Sequence, residues 1–300
     1  MKEHLMKRQV LLFNILIAAI FTLPAYAADD GITGVQWGRN AYNFEAMPSG
    51  PQPVKNLSRR PDGVANSSEL VGDYRNPILT PEAAAALKQR GELAKAGGFP
   101  SSEDQCRPIA PPFSSAVQFD FQILQKKDGD LTIIGHQDDQ VRHVRVNGTH
   151  PAKVVLTPMG DSIGHWEGDT LVIDTVGVRT DAFIASDRLG TPQSDLMHVV
   201  ERYRLIDGAR AKADIAAYEK IEGTIGGRPP NGYMNPDVNL KGLRLEVTME
   251  DPKVFKQPLT GVVTYRPLVV GWREAVCAEN PVQHYKDEWV GLPTANHSEF

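Results

Sequence analysis

The chain has 300 residues, a formal net charge of −5 and 41% hydrophobic residues, which is enough for one large domain or two small ones. Its mild acidity and the lack of any stripe of lysine or arginine exclude the usual basic surface for nucleic acid. The counts of 26 Gly and 22 Pro favour loops and short strands over long helices.

The first 27 residues have the pattern of a secretory signal peptide. Basic residues between positions 2 and 8 precede an apolar run over 10–23, and A-Y-A at 25–27 is a cleavage site. The alternative is an uncleaved anchor, but the run is shorter than the roughly 20 apolar residues of a membrane span. The sequence therefore predicts a periplasmic or secreted protein that begins at Ala28 and has no stable membrane insertion after cleavage.

Export determines how the two cysteines are interpreted. Cys106 and Cys277 are the only ones, and an oxidising compartment favours a disulfide between them. The bond would close a loop of about 170 residues and stabilise the fold by about 4–5 kcal/mol in the chain-entropy model. A redox or metal role would require closer spacing or more ligands, so we predict a structural disulfide.

Residues 28–76 are rich in Gly, Pro, Asn and Ser and show no sustained period. This composition predicts an extended arm that lies on the domain or is partly disordered. Trp37, Tyr42 and Phe44 are the candidate anchors of the arm.

One helix is predicted over residues 80–96. Thr80 is a good N-cap, Pro81 suits the first helical position, and Glu82 complements the helix dipole. The pair Gly97-Gly98 ends the run of helix-forming residues.

From residue 117 onward, short runs of alternating apolar and polar residues are separated by turn signals, a pattern typical of antiparallel strands. The predicted strands are Val117–Gln125, Leu131–Gly135, Val141–Val146, Ser162–Trp166, Thr170–Val176, Met197–Ile206, Leu243–Met249, Gly261–Tyr265 and Trp272–Cys277. A segment over 224–239 rich in Gly, Pro and Asn is predicted to be a surface loop. Residues 77–300 are therefore predicted to form one mainly β domain, a calycin-like antiparallel β-barrel or a sandwich, with one N-terminal helix and the extended arm.

Three predicted strands place a charge on an otherwise apolar face. Glu201, Asp174 and Arg142 each have apolar neighbours two residues away, and such neighbours share a face of a strand. If these faces point inward, two carboxylates and one guanidinium are buried together and must be paired or change their pKa. The alternatives are a structural ion pair, a ligand-anchoring or acid/base cluster, or a solvated face.

Histidines near the same strands are candidate acid/base groups, notably His150, His165 and His198. His198 and Glu201 are three residues apart, which in a strand puts them on opposite faces, and no close histidine pair occurs, so no metal site is predicted. The segment Gly160–Gly164 matches G-x-S-x-G. A strand follows it rather than the helix that a nucleophilic serine requires, so the context is wrong for a serine hydrolase.

The stretch at 160–175, G-D-S-I-G-H-W-E-G-D-T-L-V-I-D-T, resembles the signature of a family of exported bacterial proteins. The resemblance extends to V-R-H-V-R-V-N-G-T-H-P at 141–151, M-H-V-V-E-R-Y at 197–203, E-D-P at 250–252 and C-A-E-N at 277–280. It implies export but no particular activity. The residues that fall in the family's motif positions are Arg142, His150, Trp166, Glu167, Asp169, Asp174, His198, Glu201 and Arg202. His165 stands where many members have Arg.

The first functional hypothesis is a periplasmic β-barrel that binds a small, largely apolar molecule, anionic or aromatic, in its cavity. Arg142 would neutralise a carboxylate or phenolate, and Trp166 and Tyr203 would form an aromatic wall. The further candidate ligand-binding residues are His165, Glu167, Asp169 and Arg202.

The second hypothesis is an acid/base enzyme in the same cavity, a lyase, hydratase or isomerase that needs no cofactor. Glu201 or Asp174 would be the base, with its pKa raised by burial, and His198 or His150 would be its proton partner. A third is a non-catalytic envelope or interaction protein that uses the arm. Because buried carboxylates suit both of the first two, the residues alone leave the choice open, and they predict no oligomeric state.

Overall fold

A computed structural model of the chain describes residues 31–39, 41–96, 108–116, 120–136, 140–180, 185–224, 233–269, 271, 282–285 and 288–291. The helices among them are α1 (Pro81–Lys95), α2 (Phe113–Ala116) and α3 (Gly208–Glu222). The strands are β1 (Gln36–Gly38), β2 (Glu45–Ala46), β3 (Phe121–Gln125), β4 (Leu131–Gly135), β5 (Gln140–Val146), β6 (Asp161–Glu167), β7 (Thr170–Val176), β8 (His198–Ile206), β9 (Gly242–Glu250), β10 (Leu259–Pro267), β11 (Val282–Tyr285) and β12 (Glu288–Gly291). The predicted signal peptide, both cysteines and the predicted strand Trp272–Cys277 lie outside the described residues.

Nine strands form a closed barrel. Strands β3 to β10 follow one another around the sheet, and β1 completes the circle by pairing with both β3 and β10. Trp37 lies at the closure, opposite Phe121 on one side and Pro267 on the other. Strand β2 adds to β10 as a tenth strand, and β11 and β12 form a separate hairpin. The predicted mainly β fold is confirmed, as a barrel rather than a sandwich.

One pair of strands corrects the prediction of a purely antiparallel barrel. Strands β5 and β6 are parallel, with Val144 opposite Ser162 and Val146 opposite Gly164. Parallel neighbours need a connection of about a dozen residues or more to return the chain to the same end of the sheet. The segment 147–160 provides such a connection, so the barrel is mixed.

The interior of the barrel is a packed apolar core. Residues that alternate along the strands point inward, and each is buried. The main contributors are Ile123, Leu131, Ile133, Val144, Leu171, Ile173, Val199, Leu245, Val247 and Val263. Burial of each such side chain stabilises the fold by about 1.5–3 kcal/mol relative to exposure, so these rows hold the barrel together.

Helix α1 begins as predicted, because the Thr80 hydroxyl accepts a hydrogen bond from the Ala83 amide at 3.2 Å. Helix α3 was not predicted. Its N-cap is Asp207, and it packs on β9 and β10. At Gly208 a side chain would meet the carbonyl oxygen of Leu240 at 2.0 Å, so this approach requires glycine.

The segment predicted to be an extended arm does not only lie on the surface of the domain. It contains strand β1, which closes the barrel. Its three predicted anchors, Trp37, Tyr42 and Phe44, are all buried. In the predicted loop over 224–239, the part described from 233 onward has no helix or strand, and an isolated bridge joins Met234 to Leu268. None of the helices among the described residues has both the length and the apolar character to cross a membrane.

Candidate functional site

A buried ion pair lies inside the barrel. Glu201 faces inward from β8 and is 0% exposed. Nη1 of Arg142, which faces inward from β5, lies 2.7 Å from Oε2 of Glu201. The hydroxyl groups of Tyr203 and Ser115 both donate to Oε1 of Glu201, the former at 2.8 Å. The carboxylate is therefore compensated by one cation and two hydroxyl donors.

Distant parts of the chain assemble this group. The short helix α2 brings Ser115 into the barrel, where the hydroxyl group of Tyr265 donates to the carbonyl oxygen of Ser115. The Phe121 ring lies 5.0 Å from the Tyr265 ring and 6.1 Å from the Tyr203 ring. The two tyrosines and Phe121 thus form an aromatic surround for the charged pair.

The pKa values of Arg142 and Tyr203 are both raised inside the barrel, which keeps the guanidinium charged and the tyrosine hydroxyl neutral. Burial acts to lower the pKa of Arg142, but the Glu201 carboxylate and Tyr203 outweigh it and raise that pKa. Burial, reinforced by the charge of Glu201, raises the pKa of Tyr203 well above its usual value. Tyr203 therefore remains a hydrogen-bond donor to Glu201.

Asp174 does not join this pair. Common burial of Arg142, Asp174 and Glu201 required that all three faces point inward, and the face of Asp174 does not. In β7 the residues that face inward are Leu171, Ile173 and Thr175, and alternation turns Asp174 to the outer face. There the oxygen Oδ1 of Asp174 lies 3.1 Å from Nε2 of His150 and 3.0 Å from Nε2 of His198. The predicted pairing of Glu201 with either histidine is absent, because the wall of the barrel separates them.

Asp174 is the centre of an outer-face network of alternating charge. Its members are Arg145, His150, Asp161, Asp174, His198 and Glu250. Asp161 receives two contacts of 2.9 Å from the Arg145 guanidinium and one of 2.6 Å from Nδ1 of His150. Both ring nitrogens of His150 face carboxylates, which can only accept, so both contacts are hydrogen bonds only when the ring carries two protons.

The network shifts the pKa values of its members in opposite directions. The hydrogen bond to Asp174 raises the pKa of His198, although partial burial opposes the shift. Burial acts to raise the pKa of Asp174, but its hydrogen bonds to His198 and His150 lower it overall. The hydrogen bonds at Asp174 thus favour the charged forms of Asp174 and His198.

Of the remaining predicted ligand-binding residues, His165, Glu167 and Arg202 are in contact with one another, and Trp166 and Asp169 do not join them. Trp166 is partly buried against the core. On the outer face the Glu167 carboxylate contacts Nε2 of His165 at 3.0 Å and a guanidinium nitrogen of Arg202. The hydrogen bond from Arg202, with help from His165, lowers the pKa of Glu167 to about 2. Asp169 lies in the hairpin turn and accepts a hydrogen bond from Thr170 at 3.2 Å.

A cavity of about 350 Å³ lies outside the barrel, between arm residues 43–59 and helix α3. We call it the arm–helix cavity. Its apolar walls come from Phe44 and Pro53 on the arm and from Ala217, Tyr218 and Ile221 on the helix. Apart from Phe44, noted as an anchor of the arm, no lining residue was singled out in the sequence. The capping signals at Asp207 and Gly223, with good helix formers between them, would have located the helical wall.

Charged side chains at the arm–helix cavity are mostly paired. Glu45 lies 3.7 Å from Arg39, and Glu222 lies 3.5 Å from Arg59. Burial raises the pKa of Glu45 despite the nearby Arg39. Burial also raises the pKa of Tyr218 to about 12, so this hydroxyl stays neutral near neutral pH.

No protein-family model, curated protein or solved structure matches this chain. Within the part of the chain that the structure describes, no group of three or more His, Cys, Asp or Glu side chains is arranged to hold a metal ion. The fold and the arm–helix cavity together define a β-barrel protein with a concave site on its outer surface.

Proposed function

We propose that this protein is an exported, periplasmic or secreted, binding protein for a small, largely apolar molecule, and that the ligand occupies the arm–helix cavity. The observation that carries the proposal is the cavity itself. Its volume of about 350 Å³ falls in the range of small-molecule sites, and its lining combines aromatic and aliphatic side chains with polar and charged ones.

The barrel interior is a weaker candidate for the ligand. Arg142, the anchor suggested by the sequence, is already paired with Glu201 at 2.7 Å, and Glu201 is fully buried. A ligand anion would have to break this pair, and disrupting a buried ion pair costs about 3–5 kcal/mol. The arm–helix cavity requires no such disruption.

Binding can be tested with N-phenyl-1-naphthylamine, an uncharged apolar probe that fluoresces when it leaves water. We expect saturable binding to the wild-type protein and its loss in Ala217→Trp, because the indole ring would fill the cavity. Ala216→Trp is the matched control, since Ala216 is an exposed neighbour on the same helix that does not line the cavity. Absence of saturable binding, or equal binding to Ala217→Trp, would refute the proposal.

The second candidate function is acid/base catalysis at the outer-face network. It is favoured by Asp174, whose carboxylate contacts two partly exposed histidines, a common arrangement for proton transfer. A mass-detected screen of aromatic and terpenoid acids should then find a conversion that Asp174→Asn abolishes and Asp169→Asn preserves. Conversion that persists in Asp174→Asn would remove the network from the chemistry.

A further inference from the structure

One charged side chain that lines the arm–helix cavity has no salt bridge within the described part of the chain. Three lining carboxylates each have a guanidinium within 4 Å: Glu45 with Arg39, Glu222 with Arg59, and Asp214 with Arg210. Lys55 also lines the cavity and is exposed. Among the described residues no salt bridge involves Lys55, which is therefore the one charged side chain of the lining without an ionic partner.

The polar groups on the two walls are already occupied by the protein. The side-chain amide of Asn43 donates to the carbonyl oxygen of Val54 at 2.7 Å, and its oxygen accepts from the Phe44 amide at 2.8 Å. Tyr42, which adjoins Asn43 but does not line the cavity, donates its hydroxyl hydrogen to the backbone carbonyl of Glu222 at 3.0 Å. Because these groups are committed, they hold the walls in place and offer little to a ligand.

The apolar part of the cavity suits a ring. Phe44 and Tyr218 supply aromatic surface from opposite walls, and Pro53, Ala217 and Ile221 complete the apolar lining. Arg39 lies 5.0 Å from the centre of the Tyr218 ring and holds that wall by a cation–π contact. A planar ligand gains contact area with little loss of its own conformational freedom, because a ring has few rotatable bonds.

From these two features we infer that the ligand is a small aromatic monocarboxylate, whose ring lies against Phe44 and Tyr218 and whose carboxylate binds the ammonium group of Lys55. The inference rests on the proposed function. A carboxylate on the ligand would give Lys55 an ionic partner, whereas a cationic or an uncharged ligand would not. The other charged side chains of the lining already have such partners.

The test compares 1-naphthoate with 1-naphthamide, which keeps the ring but has no charge, by isothermal titration calorimetry. We expect the wild-type protein to bind the acid about five- to tenfold more tightly than the amide. A charge-assisted contact at an exposed lysine contributes less binding free energy than the same contact when it is buried. Added salt should weaken binding of the acid and leave the amide unchanged. Lys55→Gln should abolish the preference, Lys55→Arg should keep it, and the control Lys212→Gln, on an exposed part of α3 outside the cavity, should have no effect.

The outcomes separate this inference from the proposed function. If both naphthalenes bind the wild type equally, or if Lys55→Gln keeps the preference for the acid, the monocarboxylate assignment is wrong while the cavity remains a binding site. If neither compound binds, or if both still bind Ala217→Trp as tightly as the wild type, the proposed function and the inference fail together.

Discussion

Glu201→Gln removes one charge from the barrel interior and changes little else. The glutamine oxygen can still accept from the hydroxyl groups of Tyr203 and Ser115, as Oε1 of the carboxylate does. The new amide group would instead face Nη1 of Arg142, which lies 2.7 Å from the present Oε2. Two donors would then meet, and Arg142, only 6% exposed, would lose its counter-ion.

The expected loss of stability is large. Removing one member of a buried ion pair costs about 3–5 kcal/mol, because the remaining charge stays desolvated without compensation. For a domain of this size, 1 kcal/mol shifts the Tm by about 2–4 °C. We therefore expect the Tm of Glu201→Gln to fall by roughly 6–20 °C.

Thermal and urea unfolding of purified variants would measure this loss. Adding Arg142→Met to Glu201→Gln should recover part of the stability, because the uncompensated cation is gone while Tyr203 and Ser115 keep their acceptor. Glu167→Gln is the matched control, since Glu167 is exposed on the outer face, and its Tm should stay close to that of the wild type. If Glu201→Gln melts like the wild type, the pair does not stabilise the barrel. A stable variant that has lost a measured conversion would instead make Glu201 a catalytic group.

The pKa of His198 is raised in the folded protein by its hydrogen bond to Asp174, so its stabilisation is complete below the unfolded pKa and is lost as the pH rises through the folded pKa. As the pH rises above the ordinary histidine pKa of about 6.5, the free energy of unfolding should thus fall more steeply in the wild type than in His198→Asn; parallel curves would exclude this contribution. Non-reducing mass mapping of the exported protein should find Cys106 joined to Cys277, with Cys277→Ser less stable by about 2–5 kcal/mol, whereas two free thiols would contradict the disulfide. N-terminal sequencing should start at Ala28, and an uncleaved N-terminus on membrane-bound material would indicate an anchor.

Local alternation was enough to place strands β3 to β10 and the buried pair, but not β1, β2, β11 or β12. Strand β4 was predicted with the bounds Leu131–Gly135 that the structure has, and the hairpin of β6 and β7 was placed within one residue at each end. The same reasoning identified Glu201 and Arg142, because a charge among apolar neighbours on one face of a strand must find a partner when that face is buried. Such patterns depend only on residues two apart, which the sequence gives directly.

The same rule misplaced Asp174 for a physical reason. Val172 shares its face with Asp174 and is only 3% exposed, so the sequence suggested a face buried in the core. That face is the outer one, where the side chains of His150 and His198 reach across to Asp174. An apolar neighbour such as Val172 is therefore buried on the outer face of the barrel and does not mark its interior. The sequence of a single strand does not show which face points inward; the order of the strands in the sheet does.

The arm–helix cavity could not be predicted from the sequence, because the residues of its two walls are more than half the chain length apart in sequence. No local pattern shows that arm residues 43–59 dock on helix α3, and strand β1, which closes the barrel, lies just ahead of that segment. The arm thus both completes the barrel and forms one wall of the cavity. A substitution that displaces the arm would disturb fold and binding together, whereas Ala217 lies on the helical wall and is exposed. A loss of binding in Ala217→Trp with unchanged Tm would therefore report on the cavity alone.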